Sequence, residues 1–171
     1  MGRTDLQEDE AVSKLKSLAE SMDFAMMMTN LGHLPFHVVP MTTKKVDKEG
    51  NIWFLSGRQS NHNRNIEADD RVHLIYSKPS SMEFLTVYGK AIIEDDPRIL
   101  KELYGSTDDM WFEGVKDPNL TAIKVIPLDA DYWETKGNQL IALFKMGVGA
   151  MTGSRPDITE QGELKIGMSN R

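Results

Sequence analysis

Cysteine is absent from the chain, which excludes disulfides, thiolate nucleophiles and cysteine-held metals within it. That composition fits a cytoplasmic location, which is the expectation. Basic charge is also scarce. The 20 Lys and Arg are outnumbered by 26 Asp and Glu, giving a formal net charge of −6. A nucleic-acid binder would normally present a basic face, so nucleic acid is not an expected partner. Long apolar runs are missing too: residues 140–151 are interrupted by Lys145 and small residues, and no membrane span is expected. The opening "MGRTDLQEDE" has no apolar core of a secretory leader, and Leu6 stands where a myristoylation signal would have Ser or Thr.

What is present suits one globular domain. The chain has 171 residues, 40% of them hydrophobic and 27% charged, enough to build a proper core. The expected division is a domain over residues 1–155 and a polar, poorly ordered tail over 156–171. Methionine is abundant, with 11 residues including the run Met26-Met27-Met28. Adaptable core filling explains them better than a soft-metal site.

Periodicity predicts a helix over residues 4–22, with Thr4 and Gln7 at capping-box spacing and an apolar stripe of Ala11, Leu15, Leu18, Ala19 and Met22. Strands follow at 23–30, 36–46, 52–56, 71–77, 83–94 and 121–133, with "DKEGN" as a hairpin loop. Gly89 inside the fifth strand signals a bulge or a close backbone approach. Asp96-Pro97 starts a short helix, and residues 138–151 read as a second amphipathic one. Six closely spaced strands with flanking helices predict a mainly β (α+β) fold, a small antiparallel barrel.

Two stretches suggest a binding site. In "LSGRQSNHNRNI" an apolar strand stops at Leu55, and Ser60 is placed to cap a short helix over 61–68. A helix N-terminus offers unpaired N–H donors to an anion, and Arg58, His62 and Arg64 add potential cations. Taken alone, this stretch is better explained as a polar connection with an N-cap. The second stretch, "VVPMTTKK", puts Pro40 inside a strand, where it suits an edge, and follows it with the hydroxyls of Thr42 and Thr43. An edge protected by Pro and Lys would read the same way.

Those two stretches, with "VYGKAIIEDDP", "WFEGVKDPN" and "DADYWETK", resemble the pyridoxamine 5′-phosphate oxidase-like flavin-binding split barrels, and more narrowly the general stress protein 26 branch. The resemblance implies a six-stranded split β-barrel, a homodimer and FMN at the dimer interface. By resemblance, Met41, Thr42 and Thr43 line the flavin, Phe54, Leu55 and Ser56 flank its ring and ribityl chain, and Ser60, Asn61 and His62 sit at the phosphate. Trp133 packs near the flavin across the interface, and Arg58 is a further phosphate candidate. The chain departs from the family at Val39, where Arg is common, at His62, where Lys is common, and at Asn61, where the true oxidases have Arg. The residues that read pyridoxal phosphate in the true oxidases have no counterpart over 136–146, so vitamin B6 oxidation is not expected.

The expected function is that of an FMN-binding general stress protein, a flavin-dependent oxidoreductase of unknown substrate. The alternative is a non-enzymatic ligand-binding or interaction module with a degenerate flavin site. Haem or a deazaflavin in the same cleft ranks last. His33 and His37 flank Pro35 without a third ligand nearby, so no zinc site is expected.

Overall fold

The computed structural model describes residues 2–3, 6–135 and 159–166. Strand β3 (Phe24–Thr29) alternates outward and inward, burying Ala25, Met27 and Thr29 while Phe24 and Met26 face out. Asp23 and Asn30 bracket it, both with φ of 61°, a left-handed conformation that Asx residues tolerate better than most. Strands β7 (Arg71–Lys78) and β8 (Glu83–Glu94) carry the same alternation, β9 (Leu120–Thr135) opens with four buried residues in a row, and the strands pair antiparallel in the order β3–β7–β8–β9. Tyr76, Phe54, Leu74, Leu85 and Ile123 fill the interior, fully buried.

The barrel closes through a change of partner. Strand β4 (His37–Thr42) pairs with β3, whereas β5 (Lys45–Val46) pairs with β6 (Ile52–Gly57), which in turn pairs with β9. Between β4 and β5, the Thr43 amide donates to the Asp23 carbonyl at 2.7 Å and the Lys44 amide to the Trp53 carbonyl at 2.8 Å. With β4 and β5 taken as one bent strand, six antiparallel strands form the ring, the small antiparallel barrel that the strand pattern predicted and the split barrel that the resemblance implied. Pro40 sits where β4 has left β6, so its missing N–H costs no ladder bond on that side.

Helix α1 (Glu8–Met22) packs its predicted stripe onto the core: Ala11, Leu15, Leu18, Ala19 and Met22 are all buried. It starts at Glu8 rather than residue 4, because β2 (Leu6–Gln7) is committed to parallel pairing with β10 (Thr159–Lys165). Thr4, the expected cap, lies outside the described residues. Strand β10 also pairs with β9 and with β1 (Gly2–Arg3), so the segment expected to be a poorly ordered tail supplies an ordered strand. The helix expected over 138–151 lies outside the described residues.

The bulge at Gly89 is present as a register shift between Tyr88 and Gly89. A Cβ there would stand 2.3 Å from the Ile126 carbonyl oxygen, so only glycine fits without moving backbone. The β5–β6 loop is organised by Asp47. Its carboxylate accepts the Glu49 and Asn51 amides, the Asn51 side chain and the Trp53 indole N–H at 2.8–3.1 Å. Burial alone would raise the pKa of Asp47, but these bonds outweigh it and hold the carboxyl below its ordinary 3.8. Helix α2 (Asn61–Ala68) joins β6 to β7, and α3 (Pro97–Leu103), capped by Asp96, joins β8 to a 3-10 segment at Ser106–Met110.

Candidate functional site

The seam where β4 leaves β6 opens into a cleft of about 890 Å³. That volume lies in the range of small-molecule sites, roughly 300–1,000 Å³. Pro40, Met41 and Thr42 form one wall, and Leu55, Ser56 and Gly57 the other. Both walls follow from strand parity. On β6, Phe54 and Ser56 point inward while Leu55 and Gly57 lie on the outer side; on β4, Met41 is buried and its neighbours are exposed.

The ends of the cleft differ. At one, α2 begins. Ser60 caps it by accepting the Asn63 amide at 3.2 Å, and its carbonyl takes the Arg64 amide at 3.2 Å. The amides of Asn61 and His62 therefore have no acceptor one turn back within the helix. His62 lines the cleft and stacks on His37 from the start of β4, with ring centroids 6.4 Å apart and planes within 15°. Both Nε2 atoms are buried and have no hydrogen-bond partner among the described residues, and the same holds for Oδ1 of the buried Asn63. Burial, and then the neighbouring His37, push the His62 imidazole below its ordinary 6.5.

At the other end, Lys44 reaches Asp108 on the 3-10 segment at 2.7 Å, with both side chains only 13% exposed. Asp108 also accepts the Gly105 amide at 2.8 Å, which anchors the segment over the seam. Met110, Trp111 and Phe112 follow it in the chain and line the cleft, as does Phe24. The two ends are separated by the run from Lys44 back to Val39, about 17 Å of extended chain.

Of the residues expected at the site, Met41, Thr42, Leu55, Ser56 and His62 line this cleft. Ser60 and Asn61 stand beside it at the helix start. The Thr43 hydroxyl instead bonds Tyr76 Oη at 2.8 Å, and Phe54 lies wholly in the core. Ser56 Oγ is also engaged internally, 2.8 Å from Thr121 Oγ1. Arg58 bonds the Pro118 carbonyl at 3.1 Å and Asp95 at 3.3 Å, while Arg64 folds back on the Gln59 carbonyl at 2.7 Å. Trp133 sits elsewhere on the sheet, its indole N–H donating to Gln161 at 2.9 Å. Sequence reasoning did not find Lys44, Asp108, Met110 or Trp111, since only the tertiary fold brings residues 106–112 to the seam.

Comparison with known proteins agrees with this geometry. The family model described as pyridoxamine 5′-phosphate oxidase like matches residues 10–157. The structure resembles that of a Jannaschia sp. CCS1 protein described as a general stress protein 26, with a TM-score of 0.76 and 19% identity, over 92% of this chain and 98% of that one. It also resembles General Stress Protein 26 from Bacillus anthracis str. Sterne, with a TM-score of 0.63, 21% identity, and 71% and 92% coverage. A general stress FMN/FAD binding protein from Xanthomonas citri gives a TM-score of 0.63 at 23% identity, over 75% of this chain and 90% of that one. No curated protein matches. The split barrel, the seam cleft and the family match together make the chain a member of the pyridoxamine 5′-phosphate oxidase like family.

Proposed function

We propose that the chain is an FMN-binding general stress protein of the protein 26 type, acting as a homodimeric cytoplasmic oxidoreductase on a substrate other than pyridoxamine phosphate. The observation that carries this reading is the buried Nε2 of His62, without a partner among the described residues, beside the amides that open α2. An unsatisfied imidazole nitrogen at a helix N-terminus is the donor set a phosphate monoester would satisfy. When bound, the flavin would supply the electron-transfer chemistry. The chain would supply positioning: His62 and the Asn61 and His62 amides for the phosphate, and Met41, Thr42 and Leu55 for the apolar body. Lys44, paired with Asp108, stands at the far end.

Dimerisation is supported by the outer face of β4, β3 and β7, where the exposed Met26 stands opposite the exposed Ile75 and the exposed Val38 stands opposite Met28, two residues along β3. Such a face favours two-fold pairing. Trp133 lies on the same outer face, one strand beyond Phe84. It does not line the cleft of its own chain. A shared site across the two-fold would let it approach the cleft of the other protomer.

The engagement of Arg58 and Arg64 away from the cleft favours the second reading, a module whose flavin site has decayed. Fluorescence titration of the protein with FMN and riboflavin separates the two. The flavoprotein reading expects FMN to bind at micromolar concentration or tighter, and more tightly than riboflavin. Failure to bind either would leave the non-enzymatic module.

A further inference from the structure

We propose that His37 is a second phosphate-binding residue, its Nε2 closing together with that of His62 on one phosphate monoester. This rests on the reading of the α2 end as the flavin phosphate site, and deepens it by adding a donor from β4.

Strand parity brings His37 there. In β4 the less exposed positions are His37, Val39 and Met41, and Val39 and Met41 both line the cleft. His37 is the polar member of that row, about 7 Å from Val39 along the strand. Its ring stacks on that of cleft-lining His62, with centroids 6.4 Å apart and planes within 15°. Both side chains are half-buried, and both Nε2 atoms are buried with no hydrogen-bond partner among the described residues. Folded proteins rarely leave one buried polar atom unpaired, because its desolvation goes uncompensated. Two such nitrogens on neighbouring rings, contributed by separate elements, point to one shared acceptor. No carboxylate among the described residues bonds either Nε2, so a ligand has to supply the negative charge. The arginines around α2 are engaged elsewhere, Arg58 with the Pro118 carbonyl and Asp95, and Arg64 with the Gln59 carbonyl. A dianion at His62 would otherwise meet a single imidazole and the helix amides. With His37 it meets two imidazoles, each able to carry a proton and donate Nε2–H to a different oxygen. Rings at this spacing suit that arrangement: each bond spans about 2.7–2.9 Å, and the two oxygens are held apart by the phosphorus between them.

The test follows the imidazoles directly. The chain has four histidines, so isotope-labelled ring nitrogens can be resolved by proton–nitrogen NMR and assigned by substitution. Saturating FMN should move the Nε2 resonances of both His37 and His62 toward the protonated position, and riboflavin should move them much less. In fluorescence titration, His37→Ala and His37→Phe should each weaken FMN by about tenfold or more, the scale of a lost charge-assisted hydrogen bond, with riboflavin within about twofold of wild type. His37→Phe keeps a flat ring against His62 and so separates donation from packing. The proposal is overturned if His37→Phe binds FMN as wild type does, if riboflavin weakens equally, or if FMN leaves the His37 Nε2 resonance unmoved. Loss of FMN affinity in His62→Ala but in neither His37 variant would keep the phosphate at α2 and remove His37 from it. Should the variants fail to fold, the His37 resonance of the wild-type chain decides alone. If wild type binds no FMN, inorganic phosphate is the probe: movement of both Nε2 resonances keeps a two-imidazole phosphate site and removes the flavin reading, whereas no movement overturns both.

Discussion

Replacing His62 by Lys or Ala tests the phosphate end at its most specific point. In the ligand-free chain, burial and His37 hold the imidazole below 6.5, so near neutrality it is neutral. A bound phosphate dianion would reverse that bias and raise the pKa, so binding must be coupled to proton uptake. The sign follows. Affinity is greatest where the bound-state imidazole is protonated and falls as pH rises through the bound pKa. The phosphate's own second ionisation, near 6, works in the opposite direction by adding negative charge as pH rises. A charge-assisted hydrogen bond is worth about 1.5–3 kcal/mol, or roughly ten- to a hundredfold in affinity. FMN fluorescence titrations between about pH 6.5 and 8.5, a window set by the histidine reference value, should show that loss, while riboflavin stays nearly flat. His62→Lys should remove the loss and tighten FMN at the alkaline end; His62→Ala should weaken FMN throughout. If both substitutions leave FMN affinity and its pH profile unchanged, the phosphate is not at α2 and the reasoning fails.

Other outcomes follow from the fold. Asp47→Ala leaves the Trp53 indole and the Asn51 groups without their acceptor and should cost about 1–3 kcal/mol in urea unfolding. Since Asp47 has a depressed folded pKa, its contribution is present above its unfolded value near 3.8 and disappears as pH falls through the folded value; Asp47→Asn should lack that acid limb. Gly89→Ala forces a Cβ against the Ile126 carbonyl and should destabilise by at least about 1–3 kcal/mol, with equal unfolding of wild type and variant counting against the bulge. Lys44→Met strands a largely buried Asp108 and should cost roughly 3 kcal/mol in urea unfolding, part of which Lys44→Met with Asp108→Asn should restore, since Asn carries no charge and can still accept the Gly105 amide.

The legible parts of the sequence were those whose signals are local. Ser60 as a cap, α2 over 61–68, β8 over 83–94 and the five-residue stripe of α1 depend on short-range periodicity and capping, and the structure places them as read. Strand β10 was not legible because "TEQGELK" has one large apolar residue, Leu164, and its pairing partners are supplied by distant β1, β2 and β9. The start of α1 was misread for the same reason: Leu6 and Gln7 are claimed by β10, an interaction outside any local window. The stretch around Thr43 looked like one strand lining one cleft. The parity that buries Met41 also turns the Thr43 hydroxyl inward to Tyr76, while Thr42 faces the seam. The 106–112 wall carried no local mark of a site, since its role is created by Lys44 holding Asp108 across the fold.

Native mass spectrometry of the purified chain tests the central claim most directly, because it reads subunit number and retained flavin together. The account predicts a dimer carrying two FMN molecules, recovered as such or after incubation with FMN. A monomer, or a dimer that takes up no flavin under those conditions, would contradict it.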